Sequence, residues 1–424
     1  MRGGSRRERV TRQITLGFAA ATFSVCTGVL AVPALPAYAA NCPVQSATPA
    51  QATRTDPAPI AKAVPWAQQR YDLDRLTGIA DGAGQLVGVV DSGVDARHPQ
   101  LTGAVVAGYD GFDPGGNGQL DCVGHGTAVA SLIAARRAGG VGFRGIAPAA
   151  MILPVRVSEQ VEIGGATTGR AASVRGLAQA IVYAVDHHVT VLNLSLVTTQ
   201  DDDALRQAVG YAVDHNVVVV AAVGNEHARG DPTPYPAAYP GVIGVGAIGT
   251  DGVRLAESQV GPYVDLVAPG DQITAATRIT TDAGYATFRG TSFATPFVAA
   301  SAALVRQYHP ELSAAAVAAR LVATADHVGG ESKEYGAGVV NPYRAVTERV
   351  ADPAQTAGGA AQTPTAGAKR TRNLAVGIAG VGGSATVLFV IAITIFARGV
   401  RTSRPERQPA PAGWSHAGST KAGG

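Results

Sequence analysis

An α/β domain built on a parallel sheet, with helices on both faces, is the fold class the sequence predicts. Three observations predict it. Six short runs (86–90, 151–157, 189–194, 217–222, 242–247 and 264–267) are rich in valine and predominantly apolar. They do not alternate, which is the pattern of strands covered on both sides. Segments of helical period fall between them, at 125–137, 171–186, 202–214, from Ser292 onward, and at 313–325. One helix–strand unit is used twice: Tyr183-Ala184-Val185-Asp186-His187 recurs as Tyr211-Ala212-Val213-Asp214-His215, each time before a valine-rich run. Two copies fit successive right-handed crossovers rather than a solenoid.

Composition supports a packed body. Of 424 residues, 46% are hydrophobic, 15% are charged and 53 are glycine, which excludes a disordered chain. A net charge of +3 is too small to argue for nucleic acid as a partner.

Residues 1–40 read as an export signal: Arg2, Arg6, Arg7, Arg9 and Arg12, then an apolar run, then Ala37-Tyr38-Ala39 as cleavage site. Residues 41–65, rich in Pro, Ala and Thr, read as an extended N-terminal extension. The main domain is expected over 66–350, a Pro/Gly/Ala/Thr-rich linker over 351–373, and a membrane-crossing helix over 374–397, which is uncharged and long enough to span a bilayer. Residues 398–424 form a short polar tail. Basic residues flank the apolar run on both sides, so orientation comes from the export signal: domain outside, tail in the cytoplasm. The expected location is therefore the cell membrane, single-pass. Cys26 lies in the signal, leaving Cys42 and Cys122. An even count in an exported chain predicts one disulfide, with two free buried thiols as the alternative.

Four polar side chains stand at the ends of elements. Asp91 ends the first apolar run. His125 opens a helix between Gly124 and Gly126. Asn225 follows another run, after Gly224. Ser292 starts a helix within Gly290-Thr291-Ser292-Phe293-Ala294-Thr295-Pro296. Ligands of parallel sheets gather at the strands' carboxyl ends. Singly, these residues suit a turn, a core histidine, a loop cap and a helix cap. Together they are what acyl transfer requires. A serine hydroxyl needs a base within reach, the base needs a carboxylate to fix its tautomer, and the oxyanion needs a fixed donor.

The stretches Val90-Asp91-Ser92-Gly93, Gly124-His125-Gly126-Thr127 and Gly290–Pro296, in the order Asp, His, Asn, Ser, resemble the signature stretches of subtilisin-like serine proteases over roughly residues 66–347. The resemblance implies a parallel seven-stranded sheet. It implies that Asp91 orients, that His125 is base then acid, that Ser292 is nucleophile, and that Asn225 lines the oxyanion hole with the Ser292 N–H. The layout is more specifically similar to the mycosins, membrane-anchored proteases of type VII secretion systems. The matching features are the signal, a short extension, Pro65-Trp66-Ala67-Gln68, Asp121-Cys122-Val123-Gly124-His125 and a C-terminal membrane helix. In such proteins the extension is tied by a cysteine to the loop before the histidine, a pairing that Cys42 and Cys122 match. The implied partners are protein or peptide substrates, the membrane and secretion-complex components. Proteolysis of secreted proteins is the leading function, and structural stabilisation of the secretion complex is the alternative.

Two departures matter. The extension is short for an autonomous inhibitory prodomain, since chains below ~40 residues rarely fold unaided. In Asn193-Leu194-Ser195-Leu196-Val197, many subtilisin-like enzymes carry glycine where Val197 stands. Ser195, Leu196, Val197 and Gly224 are the expected substrate pocket. A β-branched side chain there narrows the pocket or tilts the substrate strand, predicting cleavage of few substrates. No cofactor is expected. His98 reads as a structural loop residue, and His187 and His188 as a helix end rather than zinc ligands. Asp110, Asp113, Asn117 and Asp121 form an acidic loop that leaves structural calcium open, though its spacing is not that of an EF-hand.

Overall fold

The computed structural model describes residues 57–163, 166–278 and 284–350. The signal, Cys42, the linker and the 374–397 run lie outside the described residues. Among the described residues no helix is long and apolar enough to cross a membrane.

In chain order the elements are helices α1 (Pro57–Lys62) and α2 (Trp66–Tyr71), strands β1 (Leu86–Asp91) and β2 (Tyr109–Asp110), helix α3 (His125–Ala134), and strands β3 (Met151–Arg156), β4 (Val161–Ile163) and β5 (Ala166–Thr168). Then come α4 (Val174–Asp186), β6 (Val191–Leu194), α5 (Asp203–Asp214), β7 (Val218–Ala222), β8 (Val242–Ile248), β9 (Leu266–Pro269), β10 (Ile273–Ala276), β11 (Tyr285–Phe288), α6 (Thr291–Tyr308), α7 (Ala314–Ala323), α8 (Ser332–Tyr335) and α9 (Pro342–Thr347). Seven strands form one sheet in the order β2-β3-β1-β6-β7-β8-β9. All its pairings are parallel.

Both faces of the sheet are covered, as the apolar runs predict. Val87 and Val89 of β1, with Val218 and Val220 of β7, join a core packed by α3 and α6. Val90, Val219 and Ala221 point the other way, into a core packed by α4 and α5. The repeated unit serves as two crossovers. In each, the histidine ring lies against the tyrosine one turn back, at 3.8 Å for His187 and 3.9 Å for His215. The next residue, His188 or Asn216, turns the chain with φ 61 before the following strand.

Two expectations need correction. Within 41–65, residues 57–62 are helical rather than extended. Pro57 opens that helix, where its missing N–H costs nothing. Helix α3 stops at Ala134, three residues before the expected end, because Gln100 captures the next peptide. Arg136 N–H donates to the Gln100 carbonyl at 2.8 Å, and the Gln100 amide donates to the Arg136 carbonyl at 2.7 Å. Strand β2, two residues long at the sheet edge, carries too little pattern to be read from sequence.

Candidate active site

Strand β1 delivers Asp91 at its carboxyl end, 4% exposed. Asp91 Oδ1 accepts from Ser92 N–H at 2.7 Å and lies 2.8 Å from His125 Nδ1. Asp91 Oδ2 is buried with no hydrogen-bond partner among the described residues. His125 is the first residue of α3, and its side chain is 26% exposed. Its ring sits close to Asp91 because the next residue is glycine. A Cβ on Gly126 would lie 2.1 Å from the Gly93 carbonyl and 3.1 Å from the Asp91 side chain. Burial pulls the His125 pKa down, but the charge and hydrogen bond of Asp91 outweigh it, so the net shift is upward.

Asp121, read from sequence as part of an acidic loop, is the support beneath this pair. Its Oδ1 accepts from Ser92 Oγ at 2.9 Å, Val123 N at 3.0 Å and Gly124 N at 2.7 Å. Its Oδ2 accepts from Thr127 N at 2.9 Å and Thr127 Oγ1 at 2.6 Å. Ser92 Oγ in turn accepts from Gly126 N–H at 2.9 Å. The Asp121 carboxylate therefore caps α3, which has glycine rather than a capping side chain before His125. Its position three residues before Gly124 was the available signal. The rest of the acidic loop turns to other tasks. Asp110 accepts from Arg156 at 2.7 Å, Asp113 from Gly115 N–H at 3.0 Å, and Asn117 from Gln119 N–H at 3.1 Å. Among the described residues no group of three or more His, Cys, Asp or Glu side chains could hold a metal ion.

Ser292 is the second residue of α6 and half-buried. Pro296, four residues on, has no N–H for the Ser292 carbonyl, so helix formation leaves that acceptor free. Ser195 Oγ donates to it at 2.8 Å, and Asn193 donates to Ser195 Oγ at 2.9 Å. Ser195, expected in the substrate pocket, is thus buried and committed to the Ser292 peptide. The ring of Phe293 lies 4.8 Å from that of His125. Among the described residues Ser292 is held through its carbonyl, and its hydroxyl makes no hydrogen bond.

Asn225, exposed after β7, faces the same turn. Its Oδ1 accepts from Thr291 N–H at 2.9 Å. Gly290 has φ +125, and a Cβ there would lie 3.0 Å from Asn225 Nδ2. Only glycine brings the amide this close to the start of α6. Val197 is 37% exposed, and its Cγ1 lies 3.7 Å from where a Cβ on Gly224 would stand. Leu196 is half-buried beside it. His98 is buried, its Nε2 3.0 Å from the Gly284 carbonyl, and burial lowers its pKa.

A parallel seven-stranded sheet carrying an aspartate-held histidine and a serine-bearing helix start at its carboxyl edge defines a subtilisin-type serine endopeptidase. The Subtilase family model matches residues 82–338, and the chain belongs to that family. Its more particular similarity is to Mycosin-1 of Mycobacterium tuberculosis (strain ATCC 25618 / H37Rv), 35% identical over 328 residues, 67% of this chain and 73% of that protein. Thermitase of Thermoactinomyces vulgaris is 36% identical over 279 residues, 66% of this chain and 94% of that one. Among solved structures, MycP1 from Mycobacterium smegmatis superposes with TM-score 0.61 at 29% identity, covering 72% of this chain and 90% of that one. A second MycP1 structure, described as a serine protease and an essential component of the type VII (ESX-1) secretion system, gives TM-score 0.59 at 33% identity, covering 70% and 92%.

Proposed function

We propose that the chain is a membrane-anchored, extracytoplasmic serine endopeptidase with Asp91, His125 and Ser292 as its triad, acting in a type VII secretion system. The observation that carries the chemistry is the 2.8 Å contact from His125 Nδ1 to Asp91. A proton held at Nδ1 leaves Nε2 free to accept. His125 Nε2 takes the Ser292 proton as Oγ attacks the scissile carbonyl carbon. The oxyanion is met by the Asn225 amide and the Ser292 N–H. The C–N bond breaks as the imidazolium returns its proton to the leaving amine. Water then repeats the sequence on the acyl-serine, releasing the acid and restoring the hydroxyl.

The likeness to Mycosin-1 and MycP1 supports the secretion role. The basic-apolar-AxA leader and the 374–397 run support export and anchoring. A Cys42–Cys122 bridge is supported by the burial of Cys122 in a disulfide and by Cys42 being the one other cysteine beyond the leader. Val197, leaning toward Gly224, restricts the first pocket to small side chains.

The test is mass spectrometry of proteins released by cells carrying the wild-type, Ser292→Ala or Val197→Gly chain. Few cleavage sites are expected with wild type, none of them with Ser292→Ala, and additional sites with larger residues before the cut for Val197→Gly. Unchanged cleavage with Ser292→Ala would sink the proposal.

A further inference from the structure

Helix α2 lies outside the three signature stretches, yet it touches the support of Ser292 at two places. At its start, the Trp66 indole N–H donates to the Asp271 carbonyl at 2.9 Å. At its end, the buried Tyr71 ring packs 5.6 Å from Phe297, on α6 just past the first turn.

Asp271 is linked to the start of α6 through Arg289. Its carboxylate accepts from Arg289 Nη1 at 2.7 Å. Arg289 also forks onto Glu257, through Nε and, at 3.0 Å, through Nη2. The Glu257 carbonyl accepts from His227 N–H at 3.2 Å, tying it to the loop that carries Asn225. Arg289 therefore brackets the turn between that loop and the 270–271 segment. Gly290 follows, and its N–H donates to the Gly270 carbonyl at 2.8 Å. Such forked guanidinium–carboxylate pairs fix geometry as well as charge.

We infer that Trp66, acting through Asp271 and Arg289, is a positioning residue that sets Ser292 against Asn225 and His125, which makes α2 a working part of the active site. The inference rests on Ser292 being the nucleophile. A reacting atom misplaced by a fraction of an ångström slows acyl transfer without weakening substrate binding.

The experiment measures the rate of Ser292 acylation by a fluorophosphonate, together with kcat and KM on a peptide, for the full-length chain purified in detergent. Trp66→Phe keeps an aromatic ring and removes the donor, whereas Arg289→Gln removes the fork. Each is expected to slow acylation and lower kcat about ten-fold at unchanged KM and melting temperature. The double variant is expected to be no worse than the poorer single, because both break one path. Arg289→Lys should recover part of the rate. Wild-type rates in Trp66→Phe, or losses that multiply in the double variant, overturn the inference. Should Trp66→Phe fail to fold, Arg289→Gln, half-exposed, decides alone: a full rate overturns it. Absence of Ser292 labelling in the wild type would defeat the proposed function itself, a result distinct from equal labelling in wild type and variants.

Discussion

Replacing Asp91 by asparagine is expected to lower kcat about 10⁴-fold, the scale of the same change in other serine-protease triads, with little change in fold. Asp91 Oδ1 accepts from both His125 and Ser92 N–H. An asparagine oxygen can keep the Ser92 contact, but its amide then offers no charge and favours the wrong imidazole tautomer. The pH profile should change as well. In the wild type His125 titrates above a free histidine because Asp91 outweighs the effect of burial. The reaction needs neutral His125, so the acid limb of kcat/KM is shifted upward from that of a free histidine and moves to lower pH in Asp91→Asn. Linkage gives a second sign. A raised folded pKa contributes stability that is complete below the unfolded value and lost as pH rises through the folded one. The melting temperatures of wild type and Asp91→Asn should therefore differ more at acidic than at alkaline pH. A wild-type profile in the variant, or a difference that grows with pH, would contradict the assigned role.

Removing the amide donor is the second large effect. Asn225→Ala should reduce kcat about 10²–10³-fold with KM nearly unchanged, the size known for loss of one oxyanion donor in subtilisin itself. The geometry gives the reason. Asn225 Oδ1 is fixed by Thr291 N–H, which leaves Nδ2 beside Gly290, at the start of the helix carrying Ser292. A donor held this way needs no reorganisation when charge develops on the substrate oxygen. Asn225→Asp keeps the shape but puts negative charge where the oxyanion forms, so it should be at least as damaging. Equal kcat in Asn225→Ala would remove this residue from the mechanism.

Much of this was legible because it is local. Six runs apolar on both faces marked strands, since a parallel sheet covered by α3 and α6 on one side and α4 and α5 on the other has no polar face to show. The candidate site residues stood out because each ends or begins an element and has a glycine within two residues. What escaped was long-range. The early end of α3 depends on Gln100, far back in the chain. The capping of that helix comes from Asp121, whose carboxylate looked like a loop acid until its five donors were in view. The helix at 57–62 was hidden by a proline that breaks helices elsewhere but can start one. The Trp66–Asp271 contact joins residues 205 positions apart, a distance over which no pattern is visible. Ser195 was placed in the pocket by position, and its commitment to Ser292 follows from Pro296, a consequence readable only once the helix is drawn.

The central claim is that Asp91 and His125, remote in sequence, together activate the hydroxyl of a third residue, Ser292. It is tested most directly by treating the purified full-length chain with a fluorophosphonate and mapping the adduct by mass spectrometry. The prediction is a single adduct on Ser292, formed by wild type and abolished by His125→Ala. An adduct elsewhere, or one on Ser292 that forms equally fast in His125→Ala, would contradict it.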